Sequence, residues 1–171
     1  MAQLLLDHGE DVSTRTDSGV TPLHFAVSHG HASVARLLLS KGAEVSFKAG
    51  GVTPLMHAAL SGHALMVLLL IQHGADLSDR DFHGRTALHY VASSGREAVA
   101  GGHDAVALLL VEHGADVSAK TKEGHTPEDL ATARSKHSIA AMLRAEAGRR
   151  AQGVAGPRAG VQVACPPEAR K

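Results

Sequence analysis

The chain has 171 residues, of which 44% are hydrophobic and only 2% aromatic, and its 17 Lys and Arg are balanced by 17 Asp and Glu. Its longest apolar run, Ala64 to Ile71, is eight residues, against the roughly 18 that a membrane-spanning helix needs. The single cysteine, Cys165, allows no disulfide framework within the chain, and without asparagine there is no N-glycosylation acceptor. The length suits one domain with a core of Leu, Ala and Val, and a cytosolic or nuclear setting is expected.

In chain order, Leu4-Leu5-Leu6-Asp7-His8-Gly9 comes first: an apolar stub of about two helical turns, too short to be stable alone. Asp17-Ser18-Gly19 then reads as a β-turn. Thr21-Pro22-Leu23-His24 starts a helix, with threonine as N-cap and proline at the first helical position, where a missing N–H does no harm. Gly30-His31 turns the chain, Leu37-Leu38-Leu39 lies in a second helix, and Gly42 stops it.

The pattern then repeats. Thr53-Pro54-Leu55-Met56 is followed by Gly62-His63, Leu68-Leu69-Leu70-Ile71 and Gly74. Thr86-Ala87-Leu88-His89 is followed by Gly102-His103, Leu108-Leu109-Leu110-Val111 and Gly114, and Thr126-Pro127-Glu128-Asp129 opens a last copy. The threonines are 32, 33 and 40 residues apart. Self-similarity near this period predicts stacked helical pairs that share one core and offer a long concave surface to other macromolecules.

These recurring elements resemble the ankyrin repeat family over residues 1–147. The resemblance implies an all-α solenoid of helix-turn-helix units joined by β-hairpin-like turns that project as fingers. The units are expected at 1–13 (second helix only), 14–46, 47–79, 80–118 and 119–147, with a disordered basic tail over 148–171. Thr86 to Gly114 spans 28 residues where the two preceding units span 21, which places an insertion near 95–102. The half unit at the start suggests a truncated or alternative product of a longer array, whose alternative function is then that of a product with its partner surface lost, and an uncapped end able to self-associate.

The thirteen histidines invite a catalytic or metal reading. Eight of them (His8, His24, His31, His63, His73, His89, His103 and His113) recur at repeat-periodic positions, which points to scaffold hydrogen bonding. No His-Glu-x-x-His pair, phosphate loop or nucleophile elbow occurs. No catalytic residue, metal or cofactor is expected.

The resemblance implies a protein-binding adaptor or regulator. Its fingers would present Arg15, Asp17, Ser18 and Val20, then Phe47 and Val52, then Arg80, Phe82, His83 and Arg85, then Lys120, Lys122, Glu123 and His125. The inner-helix face would add Ser28, His29, Leu60, Ser61, Ser93 and Ser94. Phe47 and Phe82 stand out as rings in turns, flanked by basic residues, which is hot-spot chemistry if they are exposed and neighbour packing if they are not. Leu65, Leu68 and Leu108 share one face of successive second helices, so an apolar strip on the convex back is expected, and with it self-association or a second contact. The tail carries Arg149, Arg150, Arg158, Arg170 and Lys171 against Glu168, which leaves a nucleic-acid-associated factor as the alternative function.

Overall fold

Helices begin where threonine and proline put them. α1 (Pro22–Ser28) and α2 (Ala32–Ser40) form the first pair, α3 (Pro54–Ser61) and α4 (Ala64–Gln72) the second, α5 (Ala87–Ser93) and α6 (Gly102–Glu112) the third, and α7 (Pro127–Ala133) and α8 (His137–Ala151) the fourth. The computed structural model describes residues 12–94 and 102–153, and these eight helices are all that it contains among them, without a strand. The stub at 1–11, the inserted residues 95–101 and the tail from 154 lie outside the described residues.

First helices pack side by side (α1 on α3, α3 on α5, α5 on α7), and second helices do the same behind them. The core between the two layers is Leu, Ala, Val and Met, with Leu23, Val27, Val67, Leu70, Leu88 and Leu110 fully buried. Aromatic rings contribute almost nothing to it, as the composition requires. Burial of such side chains contributes about 1.5–3 kcal/mol each.

Three of the four threonine caps close a capping box, in two chemical forms, while Thr53 only accepts from the Met56 amide at 3.3 Å. In the first and third units the histidine three residues on closes the box: the amides of Thr21 and Thr86 donate to His24 Nδ1 and His89 Nδ1 at 3.3 and 3.1 Å. In the fourth, Asp129 replaces the histidine and accepts from the Thr126 amide at 2.8 Å. A ring whose Nδ1 accepts must be neutral, with its proton on Nε2. His89 Nε2–H then donates to the His125 carbonyl in the next turn at 3.2 Å. His24 Nε2 is the exception. It is buried without a hydrogen bond, although the nearby Val52 carbonyl favours its proton.

The second turn is built differently. The first, third and fourth turns close with a bond across four residues, from the amides of Thr16, Asp81 and Thr121 to the carbonyls of Val20, Arg85 and His125. The second closes between Ala49 and Val52, paired in both directions at 3.0 Å. One residue fewer at this tip accounts for the 32-residue spacing. It also brings Lys48 into register with Arg15, Arg80 and Lys120, each preceding the first bonded residue of its turn.

Consecutive units are tied by a residue at the start of the second helix, just before it in the second and fourth units and in its first turn in the third. His63 donates to the Val27 carbonyl at 3.2 Å and His103 Nε2 to the Leu60 carbonyl at 2.9 Å. In the fourth unit Lys136 takes this place, reaching the Val91 carbonyl at 3.2 Å and the Ser94 hydroxyl. Gly62, at φ 72°, is required twice over, since a Cβ there would lie 2.9 Å from the His103 ring.

Two expectations are corrected at the C-terminal end of the array. Helix α8 runs to Ala151, past the boundary expected at 147. Arg149 and Arg150, assigned to a disordered tail, are helical and pair with buried Glu146 at 2.6 and 2.8 Å. Arg150 also caps the carbonyls of Ala115 and Val111 behind α6, at 3.0 and 3.4 Å.

Candidate finger and concave-face interface

The fingers stack on one another through small contacts between tips. Phe82 lies over Gly51 of the preceding finger so closely that a Cβ at Gly51 would fall 2.5 Å from its ring, yet Phe82 remains 69% exposed. One face of the ring is therefore seated and the other is free. Phe47 differs. It is half-buried, with the Arg15 guanidinium 3.9 Å from its ring centroid and the His24 ring edge-on at 6.3 Å. For Phe47 packing dominates, and for Phe82 both packing and display hold.

Arg80 and Arg85, expected on the contact surface, bind the scaffold instead, and so does Lys48. Lys48 pairs with Asp79 at 2.7 Å and donates to the Arg80 carbonyl at 3.2 Å. Arg80 reaches across to the Lys120 carbonyl at 2.7 Å, repeating the same strap one finger later. Arg85 is half-buried and held by Asp81 at 2.7 Å, with the Tyr90 hydroxyl 3.1 Å from its other end. Asp81 also accepts from the amides of His83 and Arg85 and from the Tyr90 hydroxyl. Burial opposes its charge, but this set of donors outweighs the desolvation and holds its carboxyl below the usual range. Burial, reinforced by the bond to Asp81, pushes the Tyr90 phenol up to about 12.

The remaining finger residues are displayed. Arg15, Asp17, Ser18, His83, Lys120, Lys122, Glu123 and His125 are exposed, while Val20 and Val52 are half-buried. The Lys122 amide bonds the His83 carbonyl at 2.9 Å, which holds the third and fourth finger tips together. Phe82, His83, Lys120 and Lys122 thus belong to two joined tips, an apolar anchor among positive and neutral donors.

On the inner-helix face Ser28 and His29 are exposed, both bonded to the Phe25 carbonyl, and Leu60 is 41% exposed. Ser61 and Ser93 are half-buried. Ser94 is corrected: at 2% exposure it is buried, donates to the Val91 carbonyl at 2.8 Å, and receives the Lys136 ammonium. It cannot touch a partner. Phe25 went unrecognised in the sequence and is 52% exposed on α1. The signal available was its position: Phe25, His57, Tyr90 and Leu130 occupy the fifth place from each cap threonine, where the otherwise uniform pattern varies.

On the convex side Leu65 is 78% and Leu108 45% exposed, whereas Leu68 is only half-buried and less available than its helical position suggested. Among the described residues no helix is long and apolar enough to cross a membrane.

Comparison with known proteins agrees with this architecture. Models of ankyrin repeats match residues 47–121 and residues 1–39. Protein phosphatase 1 regulatory subunit 27, from Homo sapiens and from Mus musculus, is 45% identical over 42 residues, covering 25% of this chain and 27% of that protein. Ankyrin repeat and KH domain-containing protein 1 of Homo sapiens is 48% identical over 46 residues, 27% of this chain and 2% of that protein. The chain therefore spans only a small part of the curated relatives it matches. Matched repeats over most of the length, four stacked helical pairs and the shared cap and turn chemistry place the chain in the ankyrin repeat family.

Proposed function

We propose that this chain is a non-catalytic protein-binding module, an adaptor or regulator that holds its partner with the third and fourth finger tips and the inner-helix face. The observation that carries the reading is Phe82, a ring seated on Gly51 with its outer face open. A rigid exposed aromatic loses little freedom on binding, and such residues dominate interface energetics. Lys120 and Lys122 beside it favour a partner segment with acidic residues around an apolar anchor. Phe25 and Leu60 extend the apolar surface along the inner helices.

The likeness to a phosphatase regulatory subunit supports a regulator over a passive scaffold. The alternative of a nucleic-acid-associated factor loses support, because Arg149 and Arg150 are spent on Glu146 and on helix carbonyls. We expect Phe82→Ala to weaken partner binding by about 2 kcal/mol, as for a hot spot, while the melting temperature stays near wild type. The experiment is quantitative capture by wild type and variant under nuclease, followed by titration of the recovered partner. Equal affinity for both proteins would overturn the reading.

A further inference from the structure

We propose that the outer side of the second helices is a two-fold interface between two copies of this chain. The inner side of α4 is fully committed to the core through Met66, Val67, Leu69 and Leu70, and that of α6 through Val106, Ala107, Leu110 and Val111. On the opposite side Leu65, at 78% exposure, is the most exposed large apolar side chain among the described residues, with half-buried Leu68 one turn on and Leu108, at 45%, on the neighbouring helix. An apolar patch of this kind on a repeat scaffold marks an interaction surface.

The charges around the patch point to its occupant. Helix α2 presents Arg36 and no acidic side chain, α4 carries no charged residue from Ala64 to Gln72, and α6 presents Asp104 and Glu112 and no Lys or Arg. Across three adjacent helices the surface is therefore basic, then apolar, then acidic. Asp104 is held in place by the Ser138 hydroxyl at 2.9 and 3.0 Å. A two-fold axis lying between the copies and parallel to α4 lays α2 of one copy opposite α6 of the other. Arg36 then meets Asp104 and Glu112 twice over, and the leucines meet each other at the centre. An isologous contact requires this self-complementarity, and an apolar centre with a charged rim is its usual anatomy. The surface lies on the far side of the core from the inner-helix face, so this interface is separate from the proposed partner contact.

Sedimentation equilibrium of the full chain over a concentration series tests the proposal. Wild type sediments as a dimer, and Leu65→Lys and Arg36→Glu each weaken the dimer by tenfold or more, on the order of the coupling measured for close interfacial charge pairs. Both residues are exposed, and far-UV circular dichroism verifies that the variants keep their helix content. Combining Arg36→Glu with Asp104→Arg and Glu112→Arg restores dimerisation, which general stickiness of an apolar patch would not do. A wild type that stays monomeric throughout, or a charge-swapped variant as weak as Arg36→Glu alone, overturns it. Phe82→Ala dimerises like wild type, and Leu65→Lys still binds a finger partner, so the two readings fail separately.

Discussion

Ser135, at φ 56°, is the one non-glycine residue at positive φ among the described residues, and it occupies the place that Gly30 and Gly62 hold in earlier units. The left-handed conformation costs an L-residue about 1–2 kcal/mol, and glycine relieves it at some expense in unfolded-state entropy. Ser135→Gly is therefore expected to raise stability by about 0.5–1 kcal/mol, read as a higher urea midpoint with an unchanged slope. Gly62→Ala is the converse, since it adds the same strain and drives a methyl toward the His103 ring. A loss of about 2 kcal/mol is expected. If both substitutions were neutral, the backbone at these turns would not be as described.

At the scale of helices, the buried histidines make stability depend on acid. Burial holds the His24, His57 and His89 imidazoles below their ordinary value of 6.5. The unfolded chain then binds more protons than the folded one once the pH drops under that value, so stability is full above it and falls as pH decreases. Denaturation at pH 7.5 and 5.5 should show the lower midpoint in acid, and equal midpoints would contradict the neutral caps. The last helix gives a second prediction. Arg150→Ala strips buried Glu146 of one of its two cations and leaves the Ala115 and Val111 carbonyls without this donor. The expected cost is about 2 kcal/mol, measured by urea denaturation, whereas a free basic tail would lose nothing.

Across the whole molecule, stability in a stacked array is a sum over units and their contacts with neighbours. The second and third pairs are flanked on both sides, and they hold fully buried Val67, Leu70, Leu88 and Val91. Amide exchange should be slowest in α3 to α6 and faster in α1 and α2, where Phe25 is half uncovered and Tyr90, its counterpart in the third pair, is buried. Equal protection across α1 to α6 would mean that the array unfolds as one block.

The helix starts, the turns and the stacking were legible in the sequence because each depends on a local signal. A threonine cap, a proline at the first helical position and a glycine at positive φ act within a few residues of themselves, and repetition does the rest. The convex leucines were legible for the same reason, since helical spacing alone places Leu65 and Leu108 outside. The end of α8 was missed: the Glu146, Arg149 and Arg150 spacing carried a signal for it, but the composition of the tail hid it.

Which surface residues are free was decided only in three dimensions. Ser94 is occupied by Lys136, 42 residues on, and Arg80 by the Lys120 carbonyl, 40 residues on. Phe47 and Phe82 look alike in the sequence, yet Arg15 and His24 close over one while Gly51 seats the other and leaves it open. A repeat pattern fixes the position of each residue within its own unit. What stands opposite it belongs to the next unit, and that side chain determines whether a polar or aromatic group is displayed or consumed.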